Sequence, residues 1–144
     1  MELGRRFNAD NNARYVNQGG AAELYLRASD NNGPPYFILD AYLPPDLDPN
    51  GIGEIVSRKN TQLASVQEAT AIGYIGELGR KYSPGETIAS TNSVPTGLRG
   101  ETLQGRQYLE VPVQNQPIPQ AVLDFANAQE PRVIIRDVAG REYN

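Results

Sequence analysis

The chain has no cysteine, no histidine and no tryptophan among its 144 residues, and a single methionine. Each absence closes a class of chemistry. Without cysteine there is no disulfide framework, no thiol nucleophile and no thiolate metal site. Without histidine there is no Ser-His-Asp triad, no paired-imidazole ribonuclease chemistry and no Cys/His zinc centre. Long apolar runs are missing as well. Nothing approaches the roughly 18 consecutive apolar residues of a membrane span, and no basic-then-apolar leader opens the chain. What remains is carboxylate, lysine, arginine, tyrosine and hydroxyl. Carboxylates beside a lysine suit hard-cation hydrolysis of phosphodiesters, and paired carboxylates suit glycoside hydrolysis.

A hydrophobic content of 39% and a charged content of 21% are those of a globular chain, long enough for one domain spanning residues 1–144. The net charge of −4 argues against the strongly basic footprint of many nucleic-acid binders, although local Arg/Lys clusters and bound cations can carry such a contact.

Periodicity and breakers divide the chain. Glu2–Asn8 reads as the end of a helix running into a polar, glycine-punctuated loop. Ala22–Ser29 alternates like a strand, Asp30–Pro35 is a turn, Tyr36–Leu43 a second strand, and Gly53–Lys59 a third. Asp46 and Asp48 lie in the Pro/Gly break between them, where a plain turn outweighs a calcium loop because the further ligands are missing. Ser65–Tyr82 has helical spacing, with Ser65 and Glu68 as a capping box and glycines that mark close packing on a sheet. Glu86–Gly105 is a long loop. Gln107–Val113 is a strand whose Pro112 implies an edge position or a strand end; Glu110 on it approaches the site if that strand adjoins the third and otherwise, the favoured reading, is an exposed edge charge. Pro117–Gln129 is a short helix and Arg132–Val138 the last strand. The expected fold is α/β, with helices flanking a single mixed central sheet.

The chemistry gathers at the first hairpin. Asp40 sits in the second strand, and Ser57 and Lys59 close the third. Alternation along a strand points Ser57 and Lys59 the same way and Glu54 the other. An Asp on one strand with acid-x-Lys on the next resembles the PD-(D/E)XK, or restriction-endonuclease-like, superfamily, whose α-β-β-β-α-β core also fits the element order. That resemblance implies a divalent metal ion (Mg²⁺, Mn²⁺ or Zn²⁺) held by carboxylates, with a lysine managing the attacking water. Here serine replaces the middle acid, so a glutamate from elsewhere completes the set: Glu2, Glu23, Glu68, or Glu54 if the strand is bulged. The proposed metal ligands are Asp40, Glu23 and Glu2, and the proposed catalytic set adds Ser57 and Lys59. Gln62 resembles a glutamine often found near this lysine. With Arg58, Arg99 and Arg106 it forms the expected nucleic-acid contact.

More broadly, "GEIVSRKNTQLASVQEA", "YLEVPVQ" and "IRDVAGREYN" resemble C-terminal nuclease toxin domains of bacterial polymorphic and contact-dependent growth inhibition toxins. The resemblance implies a larger secreted carrier, delivery to the cytoplasm of a target bacterium, DNA or tRNA as substrate, and a cognate immunity protein. The alternative is a non-enzymatic interaction module, such as an immunity or adaptor protein, with the hairpin charges merely solvated. A glycosidase ranks below both, since no two carboxylates pair and no aromatic sugar platform is present.

Overall fold

The computed structural model describes residues 2–28 and 35–144, with side chains from residue 5 onward. The expected turn over residues 30–35 falls outside them save for its last residue, and the Glu2 side chain also lies outside. The elements are α1 (Glu2–Val16), β1 (Ala21–Arg27), β2 (Tyr36–Leu43), β3 (Glu54–Arg58), α2 (Glu68–Lys81), β4 (Arg106–Val111), α3 (Gln120–Ala128) and β5 (Val133–Asp137). The strands form one mixed sheet in the order β1-β2-β3-β4-β5. The two β2 junctions are antiparallel and the last two parallel, so β2 alone runs against its neighbours. Parallel junctions need crossovers, and α2 and α3 supply them. The expected mixed α/β sheet with flanking helices is what forms.

Alternation along the strands builds a core on each face. One is large: Ile55, Leu109, Val111 and Ile135 meet Ala71, Ile75 and Leu78 of α2 and Val122 and Ala126 of α3. The other is small: Ala41, Leu43, Val56, Tyr108 and Ile134 meet Tyr15 of α1. Helix α1 runs through the stretch that the sequence gives to a loop. Its polar composition hides it, because apart from Tyr15 it docks through hydrogen bonds and ion pairs rather than through an apolar stripe.

Helix α2 begins three residues later than its sequence suggests. Leu63–Ser65 closes a 3₁₀ turn that buries Leu63, and the N-cap is Gln67, with no side-chain cap. Ser65 and Glu68 therefore form no capping box; Glu68 is the first helical residue, where a carboxylate still favours the helix dipole. The α2 glycines also differ from expectation. A Cβ added at Gly73, Gly76 or Gly79 would meet nothing within 4 Å. The buried stripe is Ala71, Ile75 and Leu78, and the glycines fall on the other side of the helix. They are plain entropic liabilities, so Gly73→Ala and Gly76→Ala should each stabilise the protein by roughly 0.5–1 kcal/mol. Denaturant titration checks this, and a loss of stability would mean that these glycines touch something.

Both sheet margins are partly covered. Beside β1, the Arg27 amide donates to the Thr87 carbonyl and the Ala89 amide to the Tyr25 carbonyl, each at 2.9 Å. Beside β5, the Tyr143 amide donates to Ile135 at 2.8 Å and the Asp137 amide to Arg141 at 2.9 Å.

Candidate functional site

Strand register brings the hairpin residues together. Ala41 pairs with Val56 and Tyr42 with Ile55; one step further, the same register sets Asp40 across from Ser57. Residues opposite each other in an antiparallel pair share a face, and Lys59 follows two residues after Ser57. Asp40, Ser57 and Lys59 therefore lie on the α2 face, where β2 meets the carboxyl end of β3. A side-chain bond fixes the junction: the Arg58 backbone N–H donates to Asp40 Oδ2 at 2.7 Å.

Helix α2 completes the group with a residue that the sequence did not single out. Glu77 Oε1 lies 3.3 Å from Lys59 Nζ, and its Oε2 accepts from Lys81 at 3.1 Å. The Lys59 ammonium also sits 5.2 Å from the centre of the Tyr74 ring. Behind this group the Tyr82 hydroxyl donates to the Ile38 carbonyl at 3.0 Å. The i, i+4 spacing of Glu77 and Lys81 is visible in the chain, but nothing local says that Lys59 will join them.

The electrostatics of the two carboxylates diverge. Burial pushes the Asp40 carboxyl above its ordinary value, against the Arg58 amide and the nearby Arg58 and Lys59 charges, with Glu77 adding to the rise. Burial would raise Glu77 as well, but the Lys81 hydrogen bond and the charges of Lys59 and Lys81 outweigh it, and Glu77 is held below its ordinary value. An acid whose folded pKa is raised is disfavoured as a carboxylate in the fold. Asp40→Asn, which keeps an acceptor for the Arg58 amide, should therefore raise the unfolding midpoint at pH 7. The gain should shrink as pH falls through the folded pKa, where the wild-type group takes up its proton. A less stable Asp40→Asn protein at pH 7 would contradict this account.

The remaining sequence candidates scatter. Glu54 stands on the α1 face, paired with Arg136 at 2.7 Å, as strand parity requires. Glu68 is exposed at the start of α2. Glu23 is exposed with a left-handed φ of 49° and lies between the pairs Ala22–Ala41 and Leu24–Leu39, which sets it across from Asp40. Arg58 is no phosphate contact: its side chain is fully buried, with Nε 2.7 Å from Glu110 Oε1 and Nη1 donating to Asn12 Oδ1. Gln62 braces a loop, donating to the Val113 carbonyl at 3.0 Å and accepting from the Asn115 amide at 2.9 Å. The Arg99 guanidinium donates to the Val94 carbonyl at 2.8 Å. Arg106 opens β4 opposite Glu54, at the end of the sheet away from Lys59.

Glu110 is the largest departure. It is wholly buried, not an edge charge, because β4 lies inside the sheet between β3 and β5. Pro112 marks the end of that strand and not an edge position. The Tyr15 hydroxyl donates to Glu110 Oε2 at 2.6 Å, and Arg14 lies 2.9 Å from the same oxygen. Arg136 bridges Tyr15 and Glu54. Three arginines and two glutamates thus clamp α1 to the sheet, on the face opposite Lys59.

Could a divalent cation fit beside Asp40? Among the described residues no three acidic side chains converge. Asp40 and Glu77 offer two carboxylates, with the Ser57 hydroxyl on the same face. Mg²⁺ is commonly held by one or two carboxylates, with waters and substrate phosphate completing its shell. Glu77 already holds Lys59 and Lys81, one on each carboxylate oxygen, so an ion beside Asp40 would have to share it, and all-oxygen donors would suit Mg²⁺ or Mn²⁺ better than Zn²⁺.

Set against protein-family models, curated proteins and solved structures, the chain matches none. No helix among the described residues is long and apolar enough to cross a membrane.

Proposed function

We propose that the chain is a metal-dependent phosphodiesterase that cuts nucleic acid. The observation that carries this reading is the meeting of Asp40, inside β2 rather than at its end, with Ser57 and Lys59 at the carboxyl end of β3 on one sheet face, and with Glu77 of α2 against the lysine. The element order, and a sheet in which β2 alone is reversed, agree with the restriction-endonuclease-like core implied by the sequence resemblance. A divalent cation bound at Asp40 and Glu77 would supply Lewis-acid activation of water and offset phosphate charge.

The chain's own groups do the rest. Asp40, with one oxygen occupied by the Arg58 amide, presents the other to the site. Lys59 aims a positive charge at the phosphate, where charge develops in the transition state. In the net reaction a bond forms between water oxygen and phosphorus, the bond to the leaving nucleoside oxygen breaks, and the departing oxygen takes a proton. Glu77 and Tyr74 hold the Lys59 ammonium in place. The further reading, an interbacterial toxin blocked by an immunity protein, rests on the sequence resemblance. The acidic balance of the chain suits a partner with basic patches.

The test is incubation of purified protein with plasmid DNA and with total tRNA, in Mg²⁺, Mn²⁺, Zn²⁺ or EDTA. Metal-dependent cutting is expected and names the substrate. Folded protein that cuts neither polymer with any metal would leave Asp40 and Lys59 as structural charges at the β2–β3 junction, and the interaction-module reading would replace this one.

A further inference from the structure

Beyond the carboxyl ends of β4 and β5, on the face that carries α3, lies a cavity of about 480 Å³. That is within the roughly 300–1,000 Å³ of small-molecule sites. The crevice outside the carboxyl ends of parallel strands is where open α/β sheets generally take their ligands. Its walls include Asn115, Gln116, Ile118, Leu123, Arg141 and Tyr143. The chemistry is mixed in a specific way. Ile118 and Leu123 belong to the α3-side apolar core or pack against it. Arg141 lies 4.8 Å from the centre of the Tyr143 ring, giving a flat cationic surface backed by an aromatic one. Asn115 and Gln116 are exposed amides, able both to donate and to accept.

The cavity is built into the loop that follows Lys59. Gln114, another wall residue, donates to the Thr61 carbonyl at 3.1 Å and accepts from the Leu63 amide at 2.8 Å. Gln62 ties the same loop to Val113 and Asn115. Two glutamines thus fix the cavity to a segment starting two residues after the candidate catalytic lysine, on the same face of the sheet.

From this geometry we propose that the cavity is a nucleobase subsite, resting on the nuclease reading above. It receives an unpaired or extruded base next to the phosphate at Lys59. A planar guanidinium, an aromatic ring and apolar walls match a base π-face, and free amides match the hydrogen-bonding edge that a duplex would occupy. The substrate class is therefore single-stranded or looped nucleic acid rather than intact duplex.

The test is fluorescence anisotropy in EDTA, so that nothing is cut, with labelled five-nucleotide DNA and RNA probes and the same probes made abasic. Wild-type protein should bind the base-bearing probes at least about tenfold more tightly. Asn115→Ala/Gln116→Ala, at exposed positions that leave folding intact, should erase most of that preference. Equal binding of abasic and base-bearing probes, no binding of either, or a preference unchanged in the double variant would each overturn the subsite. The two readings fail separately. Metal-dependent cutting without base preference keeps the nuclease and removes the subsite; base preference without cutting does the reverse.

Discussion

Lys59→Ala is expected to lower metal-dependent cleavage by roughly 10²–10⁴-fold, the range for losing a positioned charge or proton-handling group from a transition state. It should do so without unfolding the protein. The lysine side chain is 30% exposed and makes one ion pair and one ring contact, together worth about 1 kcal/mol at a partly solvated site. Asp40→Ala should abolish cleavage too, but by another route: calorimetric titration with Mn²⁺ should show weakened metal binding, whereas Lys59→Ala should bind metal normally. Glu77→Gln leaves Lys59 its charge but loosens its hold and weakens a proposed metal ligand, so a drop of at least about 10–100-fold is expected, with Mn²⁺ binding weakened as in Asp40→Ala. If Lys59→Ala cuts at the wild-type rate, this lysine is not part of any active site.

Glu110→Gln should destabilise the fold by about 3–5 kcal/mol, because breaking a buried ion pair strands its partner. Arg58 would be left inside the sheet without its counter-charge, beside Asn12 and the Tyr15 ring, while Arg14, Tyr15 and Arg136 would all lose a negative neighbour. Against a typical total stability of roughly 5–15 kcal/mol, that is a large share. Denaturant titration gives the number, and pH gives an independent check. Burial acts to raise the Glu110 carboxyl, but the Tyr15 hydroxyl, Arg58 and Arg14 outweigh it and hold it below its ordinary value. An acid lowered in the fold lends stability above its unfolded pKa and loses it as pH falls through the folded one. Wild-type stability should therefore fall on acidification below the ordinary carboxylate range, and Glu110→Gln should show less of that fall. A paired replacement such as Arg58→Met/Glu110→Leu should recover much of the loss, since apolar side chains of similar size can stand in for a buried ion pair. If the single variant is as stable as wild type, the clamp contributes nothing.

The strands were legible because each is a short alternating or apolar run between strong breakers; Tyr36–Leu43 has the same bounds in sequence and structure. Strand parity also placed Ser57 with Lys59 and set Glu54 apart from them. Failures came where a residue's fate depends on a distant neighbour. Glu110 looks like an edge charge because nothing in "YLEVPV" announces that β3 and β5 will close over it. Asn12, Arg14 and Tyr15 look like loop residues because the partners that fix α1 lie in β3, β4 and β5. Ser65 and Glu68 have the spacing of a cap, yet Leu63 is drawn into the core first and the chain spends that serine in a 3₁₀ turn. Glu77 was missed for the opposite reason: an acid four residues before a lysine on a helix usually needs no explanation beyond that pair.

The partly covered sheet margins bear on how the molecule behaves in company. A strand with bare amides is a template on which another chain can stack, and Val133–Ile135 is the apolar kind that invites it. Residues 141–143 already occupy that place beside β5, and residues 87–89 occupy the one beside β1. At those positions the sheet has no bare backbone to offer a neighbour, and association by backbone pairing there must first peel away a stretch of the protein's own chain.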